Sequence, residues 1–405
     1  MIRHWLLAAT FLAGPLHAAE IIDYGDLNAQ RVWRQFAALE SGNGSDTVRI
    51  LQLGDSHTAG EYFTHAIRER LQARFGDAGY GWLTPGYVTN QRSALVFQRM
   101  KGDWQTQISR STYSPGDFPV GGIINRPAPG AEIEIAPKTP LADGLWRLSV
   151  WTRSSPAAGG WTVTLPNGET RDLPPRSKAG WDEYNVMFSP WAATPIRLRN
   201  DGNGSELGGL VLDRLNPGVS YDSLGIVGAQ VRVLQNWNPE LLQEQLRWRK
   251  PDLIVLAYGT NEAFDPKFVD VTYRAELRSA VRMLKRGAPE AAILLVGAPS
   301  SAKKGGGVAA GCEQYGLAPN LLRVQQIQRE IANQEHLLYW DWADAMGGNC
   351  AIQNWASRNP PLARPDLVHL SPEGYEQSGV ALYDAMMRLY GQKKLAATTN
   401  TGKRM

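Results

Sequence analysis

Apolar positions along the chain recur with two periods, and the period changes where the architecture is expected to change. Between Asp26 and Leu39 the spacing of Leu27, Val32, Phe36 and Leu39 predicts a helix. "TVRILQLG", Thr47 to Gly54, reads as a buried strand. From Glu61 to Phe75 the set Phe63, Ala66, Ile67, Leu71 and Phe75 forms one face of a second helix, with Arg68, Glu69 and Arg74 on the other. After about residue 222 the alternation returns. "SLGIVG", "DLIVLAYG", "AAILLVGAP" and "HLLYWDW" read as strands buried on both faces, separated by helices through Leu234–Leu246, Ala275–Leu284 and Leu321–Asn333. Ser371 as N-cap and Pro372 at the first helical position open a closing helix that is expected to end at Gly391. Strands alternating with helices predict a parallel, three-layered α/β sheet.

Between about residues 105 and 221 this rhythm breaks into short alternating runs with turn signals, of which Asn167-Gly168 is the strongest hairpin cue. The segment reads as an inserted all-β sandwich. In "LWRLSVWT" the alternation puts Trp146, Leu148 and Val150 on one face and Leu145, Arg147, Ser149 and Trp151 on the other, which lets one tryptophan pack in a core and the other face a surface, with core burial of all of them as the alternative reading and the favoured one for any single tryptophan. With Trp161, Trp181 and Trp191 nearby, the insert has aromatic residues enough for both purposes. The expected division is an export segment over 1–19, a first α/β part over 20–104, the insert over 105–221, a second α/β part over 222–391 and a disordered basic tail over 392–405.

Composition narrows the function classes. At 405 residues, with 43% hydrophobic and 20% charged residues, the chain suits a soluble protein of two domains. A net charge of +3 without a clustered Lys/Arg stripe argues against nucleic acid as a partner. The N-terminal "MIRHWLLAATFLAGPLHAAE" places Arg3 and His4 before an apolar run and a small-residue site at Ala18-Ala19, the form of a Sec signal peptide and too short for a membrane span. Nothing else is apolar for long enough to insert stably in a membrane. Export predicts an oxidising compartment in which Cys312 and Cys350 pair, with two separately buried thiols as the alternative. Closing a loop of about 40 residues would contribute roughly 4 kcal/mol.

The chemistry gathers at strand ends. Ser56 follows the strand "ILQLG" and begins a helix, and open α/β sheets hold their ligands at such places. A serine there is also a good N-cap, a role that stabilises a helix by about 1 kcal/mol. Near the far end of the chain, "RPDLVHLSPEGY" sets Asp366 three residues before His369, a spacing that lets the carboxylate hold one imidazole nitrogen while the other takes a proton from a serine. Of six histidines, His4 and His17 fall in the export segment. His57 adjoins the serine and is expected to point away from it; His65 and His336 lack a carboxylate in a comparable position, so His369 is the candidate base. Two donors for a tetrahedral oxyanion stand at further strand ends: the backbone N–H of Gly228 and the side-chain amide of Asn261, with the N–H of Ser56 as a third. A turn role for Gly228 and a cap role for Asn261 are compatible with this. No His/Asp/Glu cluster beyond these has ligand spacing, so neither a metal nor a cofactor is expected.

Gly54-Asp55-Ser56, Gly228, Gly259-Thr260-Asn261-Glu262 and Asp366-x-x-His369, taken in this order, resemble the SGNH (GDSL-type) hydrolase superfamily. The resemblance implies a flavodoxin-like three-layer α/β/α fold, a Ser56–His369–Asp366 triad and an oxyanion hole from Ser56, Gly228 and Asn261. The usual leucine after the serine is here His57. "QLGDSHTAGEYF", "GDAGYGW", "GDFPVGGI" and "DAMGGNC" extend the likeness to the periplasmic peptidoglycan O-acetylesterases of Gram-negative bacteria, in which a carbohydrate-binding-type β-sandwich interrupts the hydrolase domain. The implied activity is removal of O-acetyl groups from the muramoyl C6 hydroxyl of glycan strands in the periplasm, through an acetyl-serine. A polysaccharide O-acetyltransferase, or a broader carbohydrate or aryl esterase, would use the same triad. A glycan-binding scaffold with a vestigial site is disfavoured by the complete set of site residues. Sequence leaves the oligomeric state open.

Overall fold

Six strands form the central sheet, in the order Ile21–Asp23, Leu338–Trp340, Ala292–Val296, Leu253–Ala257, Thr47–Gly54, Gly218–Gly225. The last five are parallel and the first pairs antiparallel at the edge. Numbered along the chain, the parallel strands lie in the order 2-1-3-4-5, the flavodoxin-like arrangement expected from the sequence. The computed structural model describes residues 19–111, 116, 118–175, 177–190, 194–304, 312 and 315–402. The expected export segment up to residue 18, Trp191 and residues 403–405 lie outside these.

The period of two decides which side of the sheet each strand residue serves. Val48, Ile50, Leu253, Val255, Leu294, Val296, Leu338 and Trp340 pack with the helices Ala29–Glu40, Tyr62–Phe75 and Pro372–Gly402. Leu51, Leu53, Ile254, Leu256, Ile293, Leu295 and Tyr339 pack on the other side with Pro239–Arg249, Asp270–Gly287 and Leu321–Gln334. Two helix boundaries differ from expectation. The region expected as one helix through Leu234–Leu246 is a 3-10 turn at Val231–Asn236 and a helix restarted at Pro239, where Asn238 Oδ1 accepts from the Leu241 N–H at 2.8 Å. The closing helix does not end at Gly391, and the expected disordered tail is helical to Gly402. Its lysines hold it to the neighbouring elements, Lys393 on Asp23 and Lys394 on Glu40, each at 2.7 Å. Cys312 and Cys350 form a disulfide, with Cα atoms 5.5 Å apart.

The insert is a sandwich of two antiparallel sheets. One runs Thr170–Leu173, Trp161–Thr164, Ile196–Asn200, Glu132–Pro137, Val96–Lys101; the other runs Gly180–Phe188, Trp146–Ser154, Glu206–Arg214, Ile123–Pro127, Trp104–Ile108, with Gly79–Leu83 added to Glu206–Arg214. Its strands therefore start well before residue 105, and Gly218–Gly225 belongs to the central parallel sheet. The boundary is hard to read because that parallel strand, "GVSYDSLG", carries Ser220, Asp222 and Ser223, all buried, where a hydrophobic run would be expected.

Trp146, Leu148 and Val150 fill the sandwich core as the alternation requires. Trp151, assigned by the same alternation to the opposite face, is also buried, because the helix Pro239–Arg249 of the α/β part covers that face and its Trp248 meets Trp151 edge-on at 5.4 Å. Beside this contact Arg249 crosses the domain interface. Its guanidinium bonds both carboxylate oxygens of Asp222 at 2.7 and 2.8 Å, Ser220 Oγ at 2.7 Å and Asp213 Oδ2 of the sandwich at 2.7 Å. Arg147 adds a second cation to Asp213 at 2.8 Å, and Asp222 also accepts the Trp82 N–H at 2.7 Å. Burial alone would raise the Asp213 carboxyl; Arg249 and Arg147 outweigh it and hold it below its ordinary value.

Removing the guanidinium would leave buried Asp222 without its cation and Asp213 with Arg147 alone. Arg249→Met should therefore cost roughly 3–5 kcal/mol of stability, read by chemical denaturation. A loss under about 1 kcal/mol, the range of an exposed pair, would contradict a tight interdomain tie.

Candidate active site

Gly225 and Ala257 each stand directly across from Gly54, so the three central strands stop at one level. Ser56, Gly228 and Asn261 follow these ends by two, three and four residues, on the two sides of the point where the strand order reverses. The glycines allow the elements to close up. A Cβ on Gly54 would lie 2.2 Å from Thr58 Oγ1 and 2.7 Å from the Ala257 carbonyl, and one on Gly225 would lie 2.2 Å from the Ala59 nitrogen.

Ser56 is the first residue of a one-turn helix, Ser56–Ala59, and it is not the cap. Asp55 takes that role, its Oδ1 accepting from the His57 N–H at 3.0 Å, which leaves the serine hydroxyl free. The Ser56 Oγ lies 3.0 Å from His369 Nε2, and His369 Nδ1 lies 2.9 Å from Asp366 Oδ2. The other Asp366 oxygen accepts the backbone N–H groups of Val368 and His369, both at 2.9 Å. Partial burial would raise the Asp366 carboxyl, but these N–H groups and the imidazole outweigh it and hold it below the ordinary carboxylate range. The loop turns through Leu367 at φ +59°, a conformation fixed by bonds from Ala302 N–H to the Leu367 carbonyl at 2.9 Å and from Arg364 N–H to the His369 carbonyl at 2.8 Å.

The turn after the Gly218–Gly225 strand is pinned along its length. The Ile226 N–H donates to the Gly54 carbonyl at 2.9 Å, the Asn261 amide donates to the Ala229 carbonyl at 2.8 Å, and the Val231 N–H donates to Glu262 Oε1 at 2.7 Å. Gly228 sits in this turn at φ +74°, and among the described residues nothing accepts from its N–H. Asn261 Nδ2 carries two hydrogens, so one is engaged and one remains. The predicted residues Ser56, His369 and Asp366 are thus in one hydrogen-bonded line, and Gly228 and Asn261 stand on neighbouring strand ends joined through Ala229.

Four further residues shape the site, to which the sequence reading gave no role. Asp55 is buried, which pushes its carboxyl up to about 6 despite bonds from His57 and Thr260. His57 is buried with its ring 5.5 Å from that of His369, and burial pushes it down to about 3, so it stays neutral. Tyr375 of the closing helix bonds His57 Nδ1 at 3.0 Å. Glu262, buried beneath the asparagine, is raised to about 8. Both acids lie inside the motif blocks; their burial carries no signal in the local sequence. A cavity of about 890 Å³, lined by Arg49, Arg147 and Trp248 among others, lies at the opposite ends of the strands and includes none of the triad. Among the described residues no group of His, Cys, Asp and Glu is placed to hold a metal ion.

Because burial raises Glu262 above its ordinary 4.5, the folded state holds this proton more tightly than the unfolded chain, and stability should fall as pH rises from about 4.5 through about 8. Glu262→Gln keeps an acceptor for Val231 and cannot ionise. Its stability relative to the parent should therefore grow between pH 5 and pH 9, by on the order of 2–4 kcal/mol in urea denaturation. A difference independent of pH would contradict the assignment.

Residues 78–212, the stretch that folds as the sandwich, match the family described as peptidoglycan O-acetylesterase, N-terminal, and residues 156–377 match the GDSL-like Lipase/Acylhydrolase family. A solved peptidoglycan O-acetylesterase is 31% identical over 92% of this chain and 99% of its own, with a TM-score of 0.78. An acetyl xylan esterase is 18% identical over 41% of this chain and 81% of its own at a TM-score of 0.32, and a family two carbohydrate esterase from Cellvibrio japonicus is 13% identical over 73% and 98% at 0.30. No curated protein sequence matches the chain. With a sandwich set into a flavodoxin-like hydrolase and a full-length relative at this similarity, the chain belongs to the peptidoglycan O-acetylesterase family.

Proposed function

We propose that this protein removes O-acetyl groups from the muramoyl C6 hydroxyl of peptidoglycan glycan strands, with Ser56 as nucleophile, His369 as general base and acid, and Asp366 as the group that orients the imidazole. The observation that carries the reading is the unbroken line from Ser56 Oγ to His369 at 3.0 Å and on to Asp366 at 2.9 Å, at the ends of parallel strands in a chain of this family. His369 Nε2 takes the serine proton as Oγ attacks the acetyl carbonyl. The tetrahedral oxyanion is met by the N–H groups of Ser56 and Gly228 and by the free hydrogen of the Asn261 amide. Collapse breaks the bond to the sugar oxygen, which leaves with the proton from His369. Water then attacks the acetyl-serine by the same route, releasing acetate and restoring Ser56.

Family membership supports a periplasmic or extracellular enzyme, and the N-terminal sequence favours export to the periplasm. Among the described residues no helix is long and apolar enough to cross a membrane.

Acetate release from O-acetylated peptidoglycan by the purified protein tests the activity. Ser56→Ala and His369→Ala should each lower kcat by several orders of magnitude, because members of a triad act as a unit. Near-parental hydrolysis by either variant would reject the assignment, and acetyl transfer to added glycan in place of acetate release would identify a transferase. Asn261→Ala should lower kcat by about 10²–10³ with little change in KM, since its bond strengthens as the oxyanion forms. An effect confined to KM would make Asn261 a ground-state contact.

A further inference from the structure

Gly228 can serve the oxyanion only if its peptide plane faces the right way, and glycine leaves that plane unusually free to turn. The peptide that carries the Gly228 N–H also carries the Val227 carbonyl, and in a trans peptide the two point in opposite directions. Whatever holds the carbonyl on one side therefore aims the N–H to the other. The Val227 carbonyl is held by Arg110, whose Nη1 donates to it. Arg110 belongs to the sandwich, in the short turn Ser109–Ser111 after the strand Trp104–Ile108.

We propose that Arg110 is a positioning residue for the oxyanion hole, supplied by the inserted domain. The proposal rests on the reading above in which Gly228 donates to the oxyanion. Three observations support it beyond the single bond. Among the described residues, the Val227 carbonyl is the one polar partner of the Arg110 side chain, and no carboxylate neutralises it. The guanidinium also lies against the glycine itself: a Cβ on Gly228 would stand 2.6 Å from Nη1 and 3.6 Å from Cδ. The residue before it is anchored to the segment that follows the turn. Ser109 is fully buried, its carbonyl accepts from Asn236 Nδ2 at 2.9 Å, its Oγ accepts from Trp237 Nε1 at 3.1 Å, and its N–H donates to the Gly122 carbonyl at 2.8 Å. Arg110 is thus delivered to Val227 from a fixed base. A positive charge on that carbonyl also polarises the amide, which strengthens the Gly228 N–H as a donor.

The test uses the full-length protein and a small acetyl ester, so that glycan contacts by the sandwich do not enter. Arg110→Ala should lower kcat about 10- to 100-fold and leave KM within about twofold, because the bond it supports matters most in the transition state. Arg110→Lys, which can still donate to Val227, should recover most of the loss, and added guanidinium should recover part of it in the alanine variant. Since Arg110 is exposed, the melting temperature of both variants should stay close to that of the parent. Parental kcat in Arg110→Ala, or a change confined to KM, would overturn the proposal, as would a lysine variant no better than alanine. Ser56→Ala measured alongside separates the two claims. An inactive Ser56→Ala with a fully active Arg110→Ala rejects the positioning role alone, and an active Ser56→Ala rejects the nucleophile on which it rests.

Discussion

Arg249 brings a positive charge into a place closed to water, and the desolvation this costs is offset only because Asp213 and Asp222 converge on it from two different domains. Asp222 lies on the hydrolase strand that leads to Gly228, and Asp213 on the sandwich strand that leads into it. The contact therefore fixes the insert at the point where the chain re-enters the sheet. Trp151 and Trp248 pack beside it and keep the water out. Charge pairing supplies direction and aromatic packing supplies burial; neither would orient a sandwich on a helix alone.

The consequences reach the other end of the sheet. With the sandwich held in place, Ser109 meets Asn236 and Trp237, and the turn containing Gly228 is enclosed by groups from both domains. Asn261 and Glu262 hold it from the hydrolase side. In this arrangement one edge of the insert borders the turn that carries Gly228.

Behind the serine the same economy of space applies. Gly54 and Gly225 let the one-turn helix sit directly on the strand ends, so that Asp55 can cap it from a buried position and Ser56 can face His369. His57 and Tyr375 fill the space behind His369 and stay uncharged, since burial disfavours both the imidazolium and the phenolate. His369 is thus backed by neutral groups, with Asp366 as the partner of its second nitrogen.

The periodicity of apolar residues determined much of this by itself. Thr47–Gly54, Leu253–Ala257 and the helices packed on them are legible because burial on both faces demands continuous apolar runs, and the hairpin at Asn167-Gly168 because its turn chemistry is local. Ser56, Gly228 and Asn261 are legible as candidates because each follows a strand end, and Asp366 and His369 because their spacing lets the carboxylate reach the imidazole. What only the tertiary structure decided are the features that depend on what covers them. Trp151 alternates as a surface residue and is buried, because a helix almost a hundred residues away lies over it. The strand Gly218–Gly225 reads as polar because its serines and Asp222 have buried partners in other elements. His57 reads only as a neighbour of the serine that points away from it, and the closing helix brings Tyr375 onto its ring. Local sequence specifies which face of an element is apolar; the three-dimensional packing alone specifies whether a polar face meets water or another chain segment.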